Sequence, residues 1–109
     1  MIDGEALAAF VAVAETRSFV RAGDRLGIAQ SAVSKRLRRL EDRIEAELVD
    51  RSNRRTIELT RLGNLYLAEA RAALRRLETA ERIGRNLGRG EAGPLRIGYV
   101  FSAAMTGLV

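Results

Sequence analysis

Apolar residues recur at helical spacing through most of the first 88 positions, in four blocks separated by short polar or glycine-containing breaks. Leu7, Phe10, Val11 and Ala14 mark one face of a first helix that Asp3 can cap and that runs to about Glu15. Thr16-Arg17 is a short break. Ser18 then caps a second helix over about 19–26, with Phe19 and Leu26 turned inward. Gly27 supplies a left-handed turn, and Ile28 packs beneath it. A third helix spans about 30–44. Val33, Leu37, Leu40 and Ile44, spaced by 4, 3 and 4, give it one apolar stripe. Ser31, Lys35, Arg38 and Arg39 fall roughly opposite, with Ser34 and Arg36 flanking them.

After the third helix the period changes. Leu48-Val49-Asp50-Arg51 and Thr56-Ile57-Glu58-Leu59 are short strand patterns around Ser52-Asn53-Arg54-Arg55. Asn53 suits a turn position with φ > 0, so the segment predicts a two-stranded hairpin. Thr60 caps a long helix of about 61–88. Gly63, Tyr66, Ala70, Ala73, Leu77, Ala80, Gly84 and Leu87 follow a heptad along it, and Leu67 and Leu74 widen the stripe. A seam of this length predicts a coiled-coil partner, with Tyr66, Ala70, Ala73, Leu77, Ala80 and Gly84 as its dimerisation residues. The direction of the partner helix stays open. Gly88 to Pro94 holds three glycines and the chain's single proline, a hinge. Leu95–Val100 then reads as a strand, and Ser102 as the cap of a following helix. A strand and a helix start do not make a domain, so residues 95–109 are expected to be the truncated front of a larger α/β region. The expected organisation is therefore 1–59, 60–88, 89–94 and 95–109.

Charge sharpens this picture. The net charge of +5 is uneven: residues 1–59 hold 11 cations against 10 acids, and residues 60–90 hold 7 against 3. Within the near-neutral first part, residues 30–40 carry four cations and no acid. A local basic patch on a neutral body fits a defined nucleic-acid footprint. The 18 arginines against one lysine explain a high isoelectric point but not the clustering. The chain has no Cys and no His, which excludes disulfides, thiol catalysis and the usual zinc sites. No apolar run reaches the length of a membrane span, and the early acid in MIDGEALAAF does not fit a secretory signal, so cytoplasmic placement is the default expectation. No nucleophile–base pair or metal cluster is apparent. The glycines of GRGEAGPLRIG precede the strand, the wrong order for a dinucleotide fingerprint. An enzyme is not expected, and neither is a bound cofactor in residues 1–109.

The second helix, the turn at Leu26-Gly27-Ile28 and the third helix form a helix-turn-helix whose second member suits the major groove. Gln30 can pair with adenine, meet a phosphate or cap its own helix. Ser31 and Ser34 are small donors for phosphates or base edges, or surface filler. Lys35 and Arg38 are the leading base or phosphate contacts. Arg36 and Arg39 either join them or pair along the helix with Glu41 and Asp42. Arg54 and Arg55, at the wing tip, suit a minor groove or stay solvated. Ser18 serves as cap and phosphate donor.

The run FVAVAETRSFVRAGDRLGIAQSAVSKRLRRLEDRI, then LVDRSNRR and LTRLG, resembles the N-terminal domain of LysR-type transcriptional regulators, over residues 1 to about 90 without a gap. PLRIGYV resembles the first strand of that family's effector-binding domain. The resemblance implies a mainly α, winged helix-turn-helix fold with a long dimerisation helix. It implies a bacterial regulator that binds double-stranded DNA at an inverted repeat as a homodimer, through an antiparallel pair of linker helices. It further implies tetramers at full length, RNA polymerase as a candidate partner, and a small-molecule co-inducer held in part near Ser102. Four positions depart from the family pattern: Ser31 where Pro is frequent, Glu45 where Gly is usual, Val49 where Phe is usual, and Arg61 where an acid is common. With Glu45 in place of Gly, the third helix is expected to run on or to end differently.

Two other functions compete. A winged helix can serve as a protein-interaction or dimerisation module whose basic face binds an acidic protein. The basic helix of 61–89 can lie on anionic membrane, but its small-residue seam without Trp or Phe disfavours that.

Overall fold

The computed structural model describes residues 1–53 and 55–90. Its element order is α1 (Gly4–Thr16), α2 (Phe19–Leu26), α3 (Gln30–Ile44), β1 (Val49–Asp50), β2 (Glu58–Leu59) and α4 (Arg61–Gly88). Arg54, and the expected strand at 95–100 with Ser102, lie outside the described residues.

Each helix begins or ends on a residue whose chemistry sets the boundary. The Asp3 carboxylate accepts from the Ala6 amide at 2.8 Å and starts α1. α1 stops at Arg17, which takes the left-handed conformation at φ 57°. Ser18 Oγ accepts from the Arg21 amide and starts α2; Gly27, at φ 69°, ends it. α3 ends at Glu45, also left-handed, with the Ala46 amide donating to the Glu41 carbonyl and the Glu45 amide to the Asp42 carbonyl. The helix thus terminates on a non-glycine residue, and the backbone tolerates the carboxylate side chain at a steric cost. Thr60 Oγ1 accepts from the Gly63 amide and starts α4.

Two compact units divide the chain at Arg75–Arg76. In the first, α1 is the central element. Its burial is wider than a single face: Ala6, Leu7, Ala9, Phe10, Val11, Ala12, Val13 and Ala14 are all buried. α2 and α3 pack against it, and its alanines leave room for that approach on several sides. Val33, Leu37 and Leu40 of α3 fill the core together with Leu48 and Val49 at the wing root. Phe19, Leu26, Ile28 and Ile44 close it at the edges.

The strands are shorter than their sequence patterns. They pair antiparallel as Val49↔Leu59 and Asp50↔Glu58. Asn53 does not adopt positive φ; among the described residues only Arg17 and Glu45 do so without being glycine. Its side chain shapes the loop instead, accepting from the Arg55 amide at 2.9 Å, and Asp50 does the same for Ser52.

α4 gives part of the expected seam to its own domain. Gly63 faces the Leu48 backbone so closely that an added Cβ would lie 2.0 Å from the Leu48 carbonyl oxygen. Ala70 is fully buried. Tyr66 rests against Phe10 with ring centroids 5.9 Å apart.

Candidate nucleic-acid interface

α3 carries the site. It is held by its apolar stripe on α1, and α2 reaches it through a close turn. A Cβ at Gly23 would come within 2.7 Å of the Ile28 carbonyl oxygen, so only glycine permits α2 to approach the segment leading into α3 this tightly. The N-terminal position before α3 is Ala29, which offers no side-chain cap. Gln30 is the first helical residue and is exposed, and it caps nothing. That removes the capping reading of Gln30 and leaves its amide, with the first backbone N–H groups of a 15-residue helix, facing outward.

The exposed arc follows from helix geometry. At about 100° per residue, Gln30, Ser34, Arg38, Ser31 and Lys35 fall within an arc of roughly 140°. Gln30, Ser31, Lys35 and Arg38 are exposed, and Ser34 is half-buried at the edge. Of the five cations of the helix, Arg43 sits in its last turn and the other four divide into two pairs. Arg36 pairs with Glu5 at 3.4 Å and Arg39 with Asp3 at 3.1 Å, both across to the start of α1. The expected partners along the helix, Glu41 and Asp42, are not the ones used. Asp3 is held below its ordinary pKa by the Ala6 amide and by Arg39, so its charge persists opposite the arginine. Among the described residues, Lys35 and Arg38 make no ion pair. Of the expected DNA contacts on α3, Arg36 is therefore the one with an internal claim on it.

Ser18 is half-buried, with its hydroxyl engaged as the α2 cap. Arg55 is exposed on the wing loop. Arg17, not anticipated as part of the site, donates to the Ile57 carbonyl at 3.4 Å and lies 3.9 Å from Glu58, tying the α1–α2 turn to the second strand.

The largest omission of the sequence reading is Glu41. It is the buried charged residue of the domain, at 7% exposure. Its carboxylate accepts from the Leu48 amide at 2.7 Å and the Val49 amide at 3.3 Å. Arg51 completes the shell with a fork of two bonds, at 3.1 and 2.8 Å. Burial opposes the charge, but Arg51 and the two amides outweigh it and hold the Glu41 pKa below its ordinary value. One signal was available in the sequence: Glu41 follows Leu37 by four and Leu40 by one, next to the apolar stripe.

Residues 5–64 match the family model described as bacterial regulatory helix-turn-helix protein, lysR family. The chain belongs to the LysR family. It is 44% identical over 94 residues to the HTH-type transcriptional regulator YnfL of Escherichia coli K12, covering 86% of this chain and 31% of that protein. The chain thus spans about a third of that relative's length. Its fold is similar to the BenM DNA-binding domain in complex with catB site 1 DNA, with TM-score 0.69 and 28% identity over 79% of this chain and 96% of that one. It is also similar to Vibrio fischeri DarR in complex with DNA, with TM-score 0.73 and 32% identity over 82% of this chain and 30% of that one. The LysR-family domain is thus a winged helix-turn-helix followed by α4, and among the described residues no helix is long and apolar enough to cross a membrane.

Proposed function

We propose that this LysR-family chain is the DNA-reading part of a transcription regulator. The observation that carries the reading is the division of cations on α3: Arg36 and Arg39 are engaged with α1, while Lys35 and Arg38 stand unpaired beside exposed Gln30 and Ser31. That face enters the major groove. Arg55, with Arg54, meets phosphates and the minor groove from the wing. The chain acts as a homodimer through α4 on an inverted-repeat operator, so each contact is made twice. Exposed Leu62, Leu65, Leu77 and Ile83 on α4 support a partner there. Tetramers at full length, RNA polymerase as a partner and control by a small-molecule co-inducer belong to the same proposal.

Binding of the protein to a duplex bearing its operator and to a scrambled duplex, across a salt series, tests this. Selective binding whose affinity falls steeply with salt is expected. Equal weak binding to both duplexes overturns the reading and favours the interaction module.

A further inference from the structure

The wing has little to hold it by itself. Its ladder is two residue pairs long, and a two-stranded hairpin of that size is marginal without outside support. The support comes from the recognition helix. Glu41 lies one turn beyond Arg38 on α3, and its carboxylate receives the Leu48 and Val49 amides, standing in for a third strand at the wing root. Arg51 follows β1 directly. Its guanidinium grips both carboxylate oxygens of Glu41 and also donates to the Val49 carbonyl at 3.3 Å. The shared carboxylate is buried and the arginine half-buried, so water competes poorly for these bonds. A buried bidentate pair is directional, and rotating the strand away from α3 breaks four bonds to one carboxylate.

We infer that Glu41 and Arg51 are positioning residues for DNA recognition, fixing the wing at a set angle to the recognition helix so that wing and helix engage one half-site together. The inference rests on the proposed DNA-reading function. It predicts that the contribution of Arg55 to binding depends on an intact Glu41–Arg51 pair.

The test is a double-mutant cycle on operator affinity with Arg55→Ala in three backgrounds: unaltered, Glu41→Gln and Arg51→Lys. Glutamine keeps the length and can still accept from the Leu48 and Val49 amides, but its amide nitrogen then places a donor where Arg51 Nη2 needs an acceptor. Lysine keeps the charge but loses the fork, and it disturbs folding less, so it carries the test if Glu41→Gln does not fold. In the unaltered protein Arg55→Ala is expected to cost about tenfold in affinity per half-site, the size of one lost charge-assisted contact. In the Glu41→Gln background the further loss should be under twofold, and with Arg51→Lys it should fall between. Hydroxyl-radical protection in the flanking minor groove should fade in both variants, while protection of major-groove guanines by α3 persists. A merely structural pair would move the melting temperature but leave the Arg55 effect at its full size. An unchanged Arg55 effect in both backgrounds, or loss of both footprints in parallel, overturns the inference alone. Absence of selective binding by the unaltered protein overturns the functional reading itself.

Discussion

Two residues test how far local backbone demands shape this domain. Glu45 ends α3 at φ 57°, a conformation in which a β-carbon costs on the order of 1 kcal/mol. Its carboxylate makes no hydrogen bond or ion pair among the described residues that would offset this. Glu45→Gly should therefore raise stability by about 1 kcal/mol, seen as an upward shift of several degrees in thermal unfolding. An unchanged or lower midpoint would show that the strain is already relieved elsewhere. Gly63 poses the opposite demand. A methyl group there would overlap the Leu48 carbonyl, which belongs to the wing root and cannot swing aside like a flexible side chain. Gly63→Ala should destabilise the domain by at least 1 to 3 kcal/mol, and a denaturant midpoint equal to that of the unaltered protein would refute the contact. The sequence marked Gly63 as a seam position because spacing alone cannot distinguish a partner helix from the domain's own backbone. At Glu45 the expectation is a helix that runs on or ends differently; α3 ends there, with Glu45 itself in the left-handed conformation. The two amides that close the α3 terminus, with Leu48 anchored behind them, hold the turn despite the wrong residue.

At the level of elements, the helices were legible and the wing was not. Capping side chains and apolar stripes depend on neighbours within a few positions, so Asp3, Ser18, Gly27 and Thr60 bounded α1, α2 and α4 from local pattern. The wing depends on Glu41, eight positions before Val49, and on Arg17, forty before Ile57, and pairwise contacts at those separations leave no periodic trace. The division of the α3 cations was equally hidden, because Glu5 and Asp3 come from another helix. The anchoring of the wing has a pH signature. The Glu41 pKa lies below its ordinary 4.5 when folded, so its charge stabilises the folded state above pH 4.5 and that contribution is lost as pH falls below it. The groups facing it are Arg51 and the Leu48 and Val49 amides. Glu41→Gln should thus lower stability at neutral pH, and the gap to the unaltered protein should narrow below pH 4.5 in unfolding curves taken through the acid range. A gap that stays constant would mean that the charge contributes nothing. α3 and the wing should also differ in how they fail. With Lys35 in the proposed major-groove face, Lys35→Ala should cost roughly 1 to 3 kcal/mol on the operator while relaxing preference at one step of each half-site. Arg55→Ala should weaken operator and scrambled duplexes more evenly and flatten the salt dependence. If both variants lose specific and non-specific binding in the same proportion, this division of labour is wrong.

At the scale of the whole molecule, the question is what covers α4. Part of its apolar surface is already covered within the chain: Gly63 by the wing root, Ala70 by the core, Tyr66 by Phe10. Of the six residues first assigned to dimerisation, Tyr66 and Ala70 thus serve the fold, and Ala73, Leu77, Ala80 and Gly84 remain exposed. Leu62 and Leu65 add apolar area that the heptad reading missed, and Leu65 is 65% exposed. They border a cleft of about 270 Å³ with Ile44, Ala46, Leu48, Tyr66 and Glu69 around it. Isolated exposed leucines are ordinary, but several on one helix fit the proposed second copy of the chain. Leu77 is the informative position because it is 47% exposed and lies outside the buried core of the first unit. Leu77→Asp should release monomers with unchanged helicity, measured by sedimentation and far-ultraviolet circular dichroism at the same concentrations. The monomer should bind an isolated half-site as the unaltered protein does, yet lose the gain from the second half-site of the inverted repeat, because two tethered heads bind far more tightly than one. An unchanged dimer mass for Leu77→Asp would move the interface to the Leu62–Leu65 face, where Leu65→Asp would then be expected to separate the copies. A dimer that survives both substitutions would place the contact off α4 altogether.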